Sequence, residues 1–140
     1  MSDTLAPDDR LAIEQLIHRH AWLIDHGRAS EIEALFTEDA VLKGIGPDKI
    51  GRAAIGDWAR QREAMRERRS RHVQTNLLIE AAGVGKAQGT VVLTLYRHDG
   101  EGEGSPAPLL IGEYADLYRR EADGAWRFAE RQLTTLFGRG

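Results

Sequence analysis

The sequence predicts an α+β fold. The expected form is a cone-shaped α+β barrel, with three N-terminal helices packed on a strongly curved antiparallel sheet that encloses a pocket. Three observations carry this. Apolar residues in the first half recur at helical spacing, and the second half is built of β-forming runs separated by turn residues. Those runs are long for a chain of 140 residues, so the sheet must curl around something.

Each element has its own signal. From Leu11 to Ile24 the positions Ile13, Leu16, Ile17, Ala21 and Ile24 form one apolar stripe. Asp8 and Asp9 suit the positive end of that helix, and Gly27 suits its stop. A second, shorter helix is expected from Ser30, where Ser30 and Glu33 make an S-x-x-E capping box. Ala40 to Leu42 reads as a short strand, and Gly44, Gly46 and Pro47 then break the chain. A third helix is expected from about Arg52 to Arg68, with Ile55, Trp58, Ala59 and Met65 inward. Four strands follow: Val73–Ala81, Gln88–Arg97, Leu109–Arg120 and Ala125–Phe137. Gly83-Val84-Gly85 turns between the first two, and Asp123-Gly124 between the last two. His98 to Pro108 is too rich in Gly, Pro and Glu to pack a core. No repeat or linker divides the chain, so residues 1–140 are expected as one domain, with 1–7 a flexible N-terminus.

Composition narrows the chemistry. There is no cysteine, which excludes disulfides, thiolate metal sites and a cysteine nucleophile. A formal net charge of −3 predicts neither bulk nucleic-acid binding nor attraction to an anionic membrane. The N-terminus has no basic region followed by an apolar run, and no stretch approaches ~20 apolar residues, so a cytoplasmic location is expected. The five histidines, His18, His20, His26, His72 and His98, never form H-E-x-x-H or a similar ligand pattern, so no metal is expected.

Periodicity then selects candidates. His20 lies on the apolar stripe of the first helix, as either a core histidine or a pocket-edge group. Asp25 lies at the stripe's edge, where an aspartate opposes the helix dipole and needs some other reason to be there. On the strand after the third helix, period two puts His72, Gln74, Asn76 and Leu78 on one face. Val73, Thr75, Leu77 and Ile79 share the other, which reads as the core face. Gly112, Tyr114, Asp116 and Tyr118 share a face of a later strand. On the last strand Trp126, Phe128, Glu130 and Gln132 oppose Arg127, Ala129, Arg131 and Leu133.

The runs His20-Ala21-Trp22-Leu23-Ile24-Asp25-His26-Gly27 and Ile32-Glu33-Ala34-Leu35-Phe36-Thr37-Glu38-Asp39-Ala40-Val41 resemble the opening of SnoaL-like domains of the nuclear transport factor 2-like superfamily. Arg71-His72-Val73-Gln74-Thr75-Asn76 resembles that family's strand after the third helix. Gly112-Glu113-Tyr114-Ala115-Asp116 and Gly124-Ala125-Trp126-Arg127-Phe128-Ala129-Glu130-Arg131 resemble its closing hairpin. The resemblance spans Asp9 to Phe137. It implies a deep pocket closed by three helices, and relatives such as scytalone dehydratase, bile acid 7α-dehydratase and ketosteroid isomerase. In dehydratase-like members an aspartate late in the first helix pairs with a histidine on the later strand. Those positions correspond to Asp25 and His72 here, while His20 stands where the dehydratases place a tyrosine.

The implied function is a dehydratase or isomerase acting on a cyclic or polycyclic small molecule without a cofactor. His72 would be the acid/base group, and Asp25 would orient it. Asn76 would hold a substrate oxygen, and Tyr114 and Arg131 would stabilise an enolate. His20, Trp22, Trp58 and Asp116 complete the expected substrate-binding set. The rival expectation is a non-catalytic ligand-binding or subunit-assembly module of the same fold. A homo-oligomer, dimer or trimer, is expected from the family, because the open sheet face needs covering. One stretch stands apart: Arg60, Arg62, Arg66, Arg68, Arg69 and Arg71, against Glu63 and Glu67 only. It reads either as a solvated helix face or as an anion-binding patch at the pocket mouth.

Overall fold

The computed structural model describes residues 4–139. In chain order it contains α1 (Pro7–Asp25), a 3-10 helix (Ala29–Leu35), β1 (Phe36–Lys43), β2 (Lys49–Ile50), α2 (Arg52–Ala64), β3 (Arg68–Ala81), β4 (Lys86–Asp99), β5 (Leu110–Arg120) and β6 (Trp126–Gly138). The architecture is the expected α+β arrangement, with helices covering one face of a six-stranded sheet.

The strand order is β2-β1-β6-β5-β4-β3. Strands β3 to β6 form an antiparallel meander. β1 lies parallel to β6, so the sheet is mixed rather than wholly antiparallel. Parallel neighbours need a long crossover. Here α2 and most of the meander lie between β1 and β6.

Helix α1 starts at Pro7, a residue suited to a first turn because it has no N–H to satisfy. Leu5 packs partly buried against the core, so the segment expected to be flexible is held at its helix end, while residues 1–3 lie outside the described ones. α1 ends just before Gly27, whose φ of +77° is the left-handed conformation that favours glycine at a helix stop. The second helix is 3-10 rather than α, and it has no capping box. Ser30 instead donates its hydroxyl and its N–H to Glu63 at 2.8 and 3.2 Å, while Glu33 accepts from Arg60. The third helix, α2, ends at Ala64, not at Arg68. Residues 66–69 offer no apolar side chain to keep a helical face buried, and Arg68 already pairs with Asp99 across β3 and β4. Met65, expected inward, is half exposed.

The core lies between the helices and the sheet. Ile13, Ile17, Ile24, Ile32, Phe36, Ile55, Ala59, Ile79, Tyr118 and Phe128 form its main body. Each isoleucine or phenylalanine among them contributes roughly 1.5–3 kcal/mol when fully buried. A second cluster, Val91, Leu93, Tyr114 and Leu133, lies further along the sheet beside the cavity described below.

Two bulges set which side chains face inward. In β3, Thr75 pairs with Val92 and Leu78 with Thr90, so Asn76 and Leu77 together oppose one residue, and Asn76 has φ +55°. Ahead of the bulge Ser70, His72 and Gln74 turn inward and Val73 is exposed. Beyond it Leu77 and Ile79 turn inward and Leu78 is exposed. The expected single core face of Val73, Thr75, Leu77 and Ile79 is therefore corrected: the parity switches at Asn76. In β6, Tyr118 pairs with Phe128 and Leu117 with Glu130, leaving Ala129 extra. That places Phe128 and Arg131 on the same buried face, where strict alternation puts them on opposite ones.

Candidate functional site

A cavity of about 370 Å³ opens between α2, the β1–β2 turn and the inner face of the sheet. Ile24, Ile45, Trp58, Leu93, Leu95, Leu110, Tyr114 and Leu133 give it a mostly apolar wall. His20, Ser70 and His72 interrupt that wall, and Arg62, Arg68 and Arg97 also line it.

Asp25 occupies the last position of α1, and its reason for being there is β3. Its Oδ1 accepts from His72 Nδ1 at 2.6 Å and from the Ser70 hydroxyl at 2.8 Å. Its Oδ2 accepts from the backbone N–H of His72 at 2.8 Å. Arg71 donates to the Asp25 carbonyl at 3.1 Å, placing a cation at the negative end of the helix. Burial pushes the Asp25 carboxyl up, but the hydrogen bonds and charge of His72 together with the Ser70 hydroxyl outweigh it. The carboxyl is held below its ordinary value. With an ionised Asp25 accepting at Nδ1, the His72 ring carries its hydrogen there. Nε2, which has no hydrogen-bond partner among the described residues, is then the basic nitrogen.

Behind this pair lies a second buried network. Arg131 is fully buried and donates side-on to Asp116, Nε to Oδ1 at 2.8 Å and Nη2 to Oδ2 at 3.1 Å. The Tyr118 hydroxyl donates to Asp116 Oδ2 at 2.8 Å. The guanidinium packs against the rings of Tyr114 and Phe128, at 3.7 and 4.4 Å from their centroids. It also donates to Gln74 Oε1 and to His20 Nδ1, both at 3.3 Å. Because the guanidinium can only donate, His20 Nδ1 is the acceptor and its hydrogen resides on Nε2. That Nε2 is buried with no partner among the described residues. Burial, then the charges of Arg131 and His72, drive the His20 pKa well below its ordinary value, so the ring is neutral. Burial raises the Tyr114 hydroxyl pKa, which keeps it protonated.

Several expected site residues fall elsewhere. His72, His20, Tyr114 and Trp58 line the cavity, and Asp25 stands directly behind His72. Asn76 is exposed on the outer side of β3. Trp22 is half exposed on the outer face of α1, stacked on His26 at 4.2 Å. Trp22 and Asn76 are therefore corrected as substrate-binding candidates: α1's turn and the β3 bulge aim both away from the cavity. Arg131 and Asp116 do not line it either, because each satisfies the other beneath Tyr114 and His20. Ser70 and Gln74 were missed as partners of the two networks. Both sit at even spacing from His72, so the strand period held that signal. Among the described residues no group of three His, Asp or Glu side chains gathers to hold a metal, and no helix is long and apolar enough to cross a membrane.

Helices packed on a six-stranded sheet in this α+β arrangement are the framework of the nuclear transport factor 2-like proteins. The chain belongs to the SnoaL-like domain family, whose model matches residues 6–132. It is similar to Rv3472 of Mycobacterium tuberculosis, a protein of unknown function. That match is 30% identical, covers 91% of this chain and 76% of that one, and has a TM-score of 0.76. It also resembles a protein of Novosphingobium aromaticivorans provisionally named a scytalone dehydratase, at 23% identity, 92% and 85% coverage and a TM-score of 0.79. The structure of LinA matches at 23% identity, 93% and 87% coverage and a TM-score of 0.78. These last two likenesses speak for the fold alone. No protein of curated function matches the chain.

Proposed function

We propose that the protein is a cofactor-independent lyase or isomerase that acts on a small cyclic carbonyl compound, with His72 as acid/base and Asp25 as its partner. The observation that carries this is the 2.6 Å contact between His72 Nδ1 and Asp25 Oδ1 at the wall of a largely apolar cavity. A histidine held this way presents Nε2 as the proton acceptor. Nε2 takes the proton α to the carbonyl, and the C–H electron pair moves into an enolate. In a dehydration, the enolate collapses to the conjugated double bond. The β C–O bond breaks, and the leaving hydroxide takes the proton back from the imidazolium as water. In an isomerisation, the same proton returns to another carbon. The protonated hydroxyl of Tyr114, at the cavity wall, is the donor for the enolate oxygen. A cavity of about 370 Å³ is at the small end of ligand pockets, ~300–1,000 Å³, and suits one or two rings better than a steroid.

The test follows α-hydrogen exchange in deuterated buffer, by NMR, over a panel of one- and two-ring β-hydroxy and β,γ-unsaturated ketones. The wild type is expected to exchange at least one member, and His72→Ala to abolish it. Full exchange by His72→Ala sinks the reading. Binding without exchange anywhere in the panel favours the non-catalytic module instead.

A further inference from the structure

The arginine-rich stretch does not end as a solvated helix face. Arg62, in the last turn of α2, and Arg68, at the start of β3, both line the cavity, and Arg97 from β4 joins them. Their charges are poorly balanced. Arg68 is paired, with Nε and Nη2 on the two oxygens of Asp99 at 2.8 and 3.0 Å. Among the described residues Arg62 has no carboxylate in ion-pair range. Its Nη2 donates to the Ser70 hydroxyl at 3.0 Å, the same hydroxyl that donates to Asp25. Arg97 has no hydrogen-bond or ion-pair partner among the described residues. The nearby Glu63 is spent on Ser30. So the mouth carries three cations above an apolar wall, with Asp99 taken by Arg68 and Asp25 reaching Arg62 only through the Ser70 hydroxyl.

The three cations repel one another. Partial burial and the neighbouring Arg68 charge lower the pKa of both Arg62 and Arg97. Arg97 weighs further on Arg62, and Arg139 on Arg97, while Asp25 and Asp99 offset part of the effect on Arg62 and Asp99 part of that on Arg97. Like charges that are only partly compensated beside an apolar cavity cost stability, and an anion placed between them lowers that cost.

We propose that the substrate of this pocket is amphipathic: an apolar ring body bearing an anionic oxygen group, carboxylate or phosphate, which Arg62 and Arg97 hold at the mouth. The ring lies against Trp58, Leu95 and Leu110, with its reacting carbon toward His72. This deepens the proposed function by naming its substrate class, and rests on it for the identity of the pocket. The planar guanidinium suits either oxyanion, because its N–H fork matches both.

The test compares three probes by isothermal titration calorimetry: 2-naphthoate, 2-naphthyl phosphate and neutral 2-naphthamide. The wild type is expected to bind at least one anion about tenfold tighter than the amide, and the tighter anion names the group. The margin should shrink between about 0.01 and 1 M salt, as the Debye length falls from ~30 to ~3 Å. Arg97→Glu should abolish or reverse the preference, and Arg62→Gln should reduce it. Arg97 is exposed and unpaired, so its variant keeps the fold even if Arg62→Gln does not. Equal affinity for the three probes, no measurable binding of either anion, or a preference that survives Arg97→Glu overturns the inference. His72→Ala should keep the preference for the anion, so the substrate class and the proton chemistry fail independently.

Discussion

His72 donates its ring Nδ1–H to one oxygen of Asp25 and its backbone N–H to the other, at 2.6 and 2.8 Å. One carboxylate thus fixes both the main chain and the imidazole of the same residue. Asp25→Asn cannot serve both donors, because an amide has a single acceptor oxygen. If the amide turns its NH2 toward the ring, Nδ1 must accept, and Nε2 carries the hydrogen and is no longer a base. The expected loss in exchange rate is about 10⁴-fold in a protein that remains folded. The same depressed carboxyl stabilises the fold above its ordinary value of 3.8, and that contribution disappears as pH falls through its lowered value. The Asp25→Asn variant should therefore lose less stability than the wild type between about pH 5 and pH 2.

Asp116 and Arg131 are both fully enclosed, so their pair is all or nothing. Asp116→Ala leaves a buried guanidinium without its counter-charge. A cost of about 3–5 kcal/mol in urea denaturation is expected. Asp116→Leu combined with Arg131→Met should recover part of this, since no charge is then stranded. Recovery stays partial because Tyr118, Gln74 and His20 lose their partners. Equal destabilisation in the single and double variants would remove the argument that a stranded charge dominates.

The buried, neutral His20 makes stability depend on pH in a defined direction. Its folded pKa lies well below the ordinary 6.5, so below 6.5 the unfolded chain binds a proton that the folded chain refuses. Stability is complete above that value and falls as pH drops, by up to about 1.4 kcal/mol per pH unit. The melting temperature of the wild type should decline from pH 7 to pH 5. His20→Gln keeps an acceptor for Arg131 and removes the titration, so its decline should be shallower. Parallel curves for the two proteins would place the acid sensitivity elsewhere.

The helices and the four long strands were legible in the spacing of apolar residues, and the pairing of Asp25 with His72 came only from the resemblance to SnoaL-like domains. The inward aim of Tyr114, Asp116 and Tyr118 was legible too, since β5 alternates without interruption over those residues. Strict period two failed on β3 and β6, where a single extra residue reverses parity and no local composition marks it. Asn76 looked like a pocket residue and is exposed; Arg131 looked opposite to Phe128 and packs on it. The roles of Asp116 and Arg131 were hidden for another reason. Whether a polar residue meets substrate or another side chain depends on what lies behind it, and alternation carries no depth.

The β3 bulge also makes a direct prediction. Asn76 sits at φ +55°, a conformation that Asn and Gly tolerate and β-branched residues resist. Asn76→Gly should keep stability within about 0.5 kcal/mol and leave naphthoate binding unchanged, because the side chain is on the outer surface. Asn76→Val should cost about 1–2 kcal/mol. Its strain is relieved only by undoing the bulge, and that forces a choice. Either His72 and Gln74 stay inward and Leu77 and Ile79 turn out, or the reverse. The first exposes core; the second breaks the contact with Asp25. In either case the valine variant should lose melting temperature, and if Ile79 holds its place it should also lose His72-dependent exchange. A valine variant with wild-type stability and exchange would mean that the bulge does not aim His72.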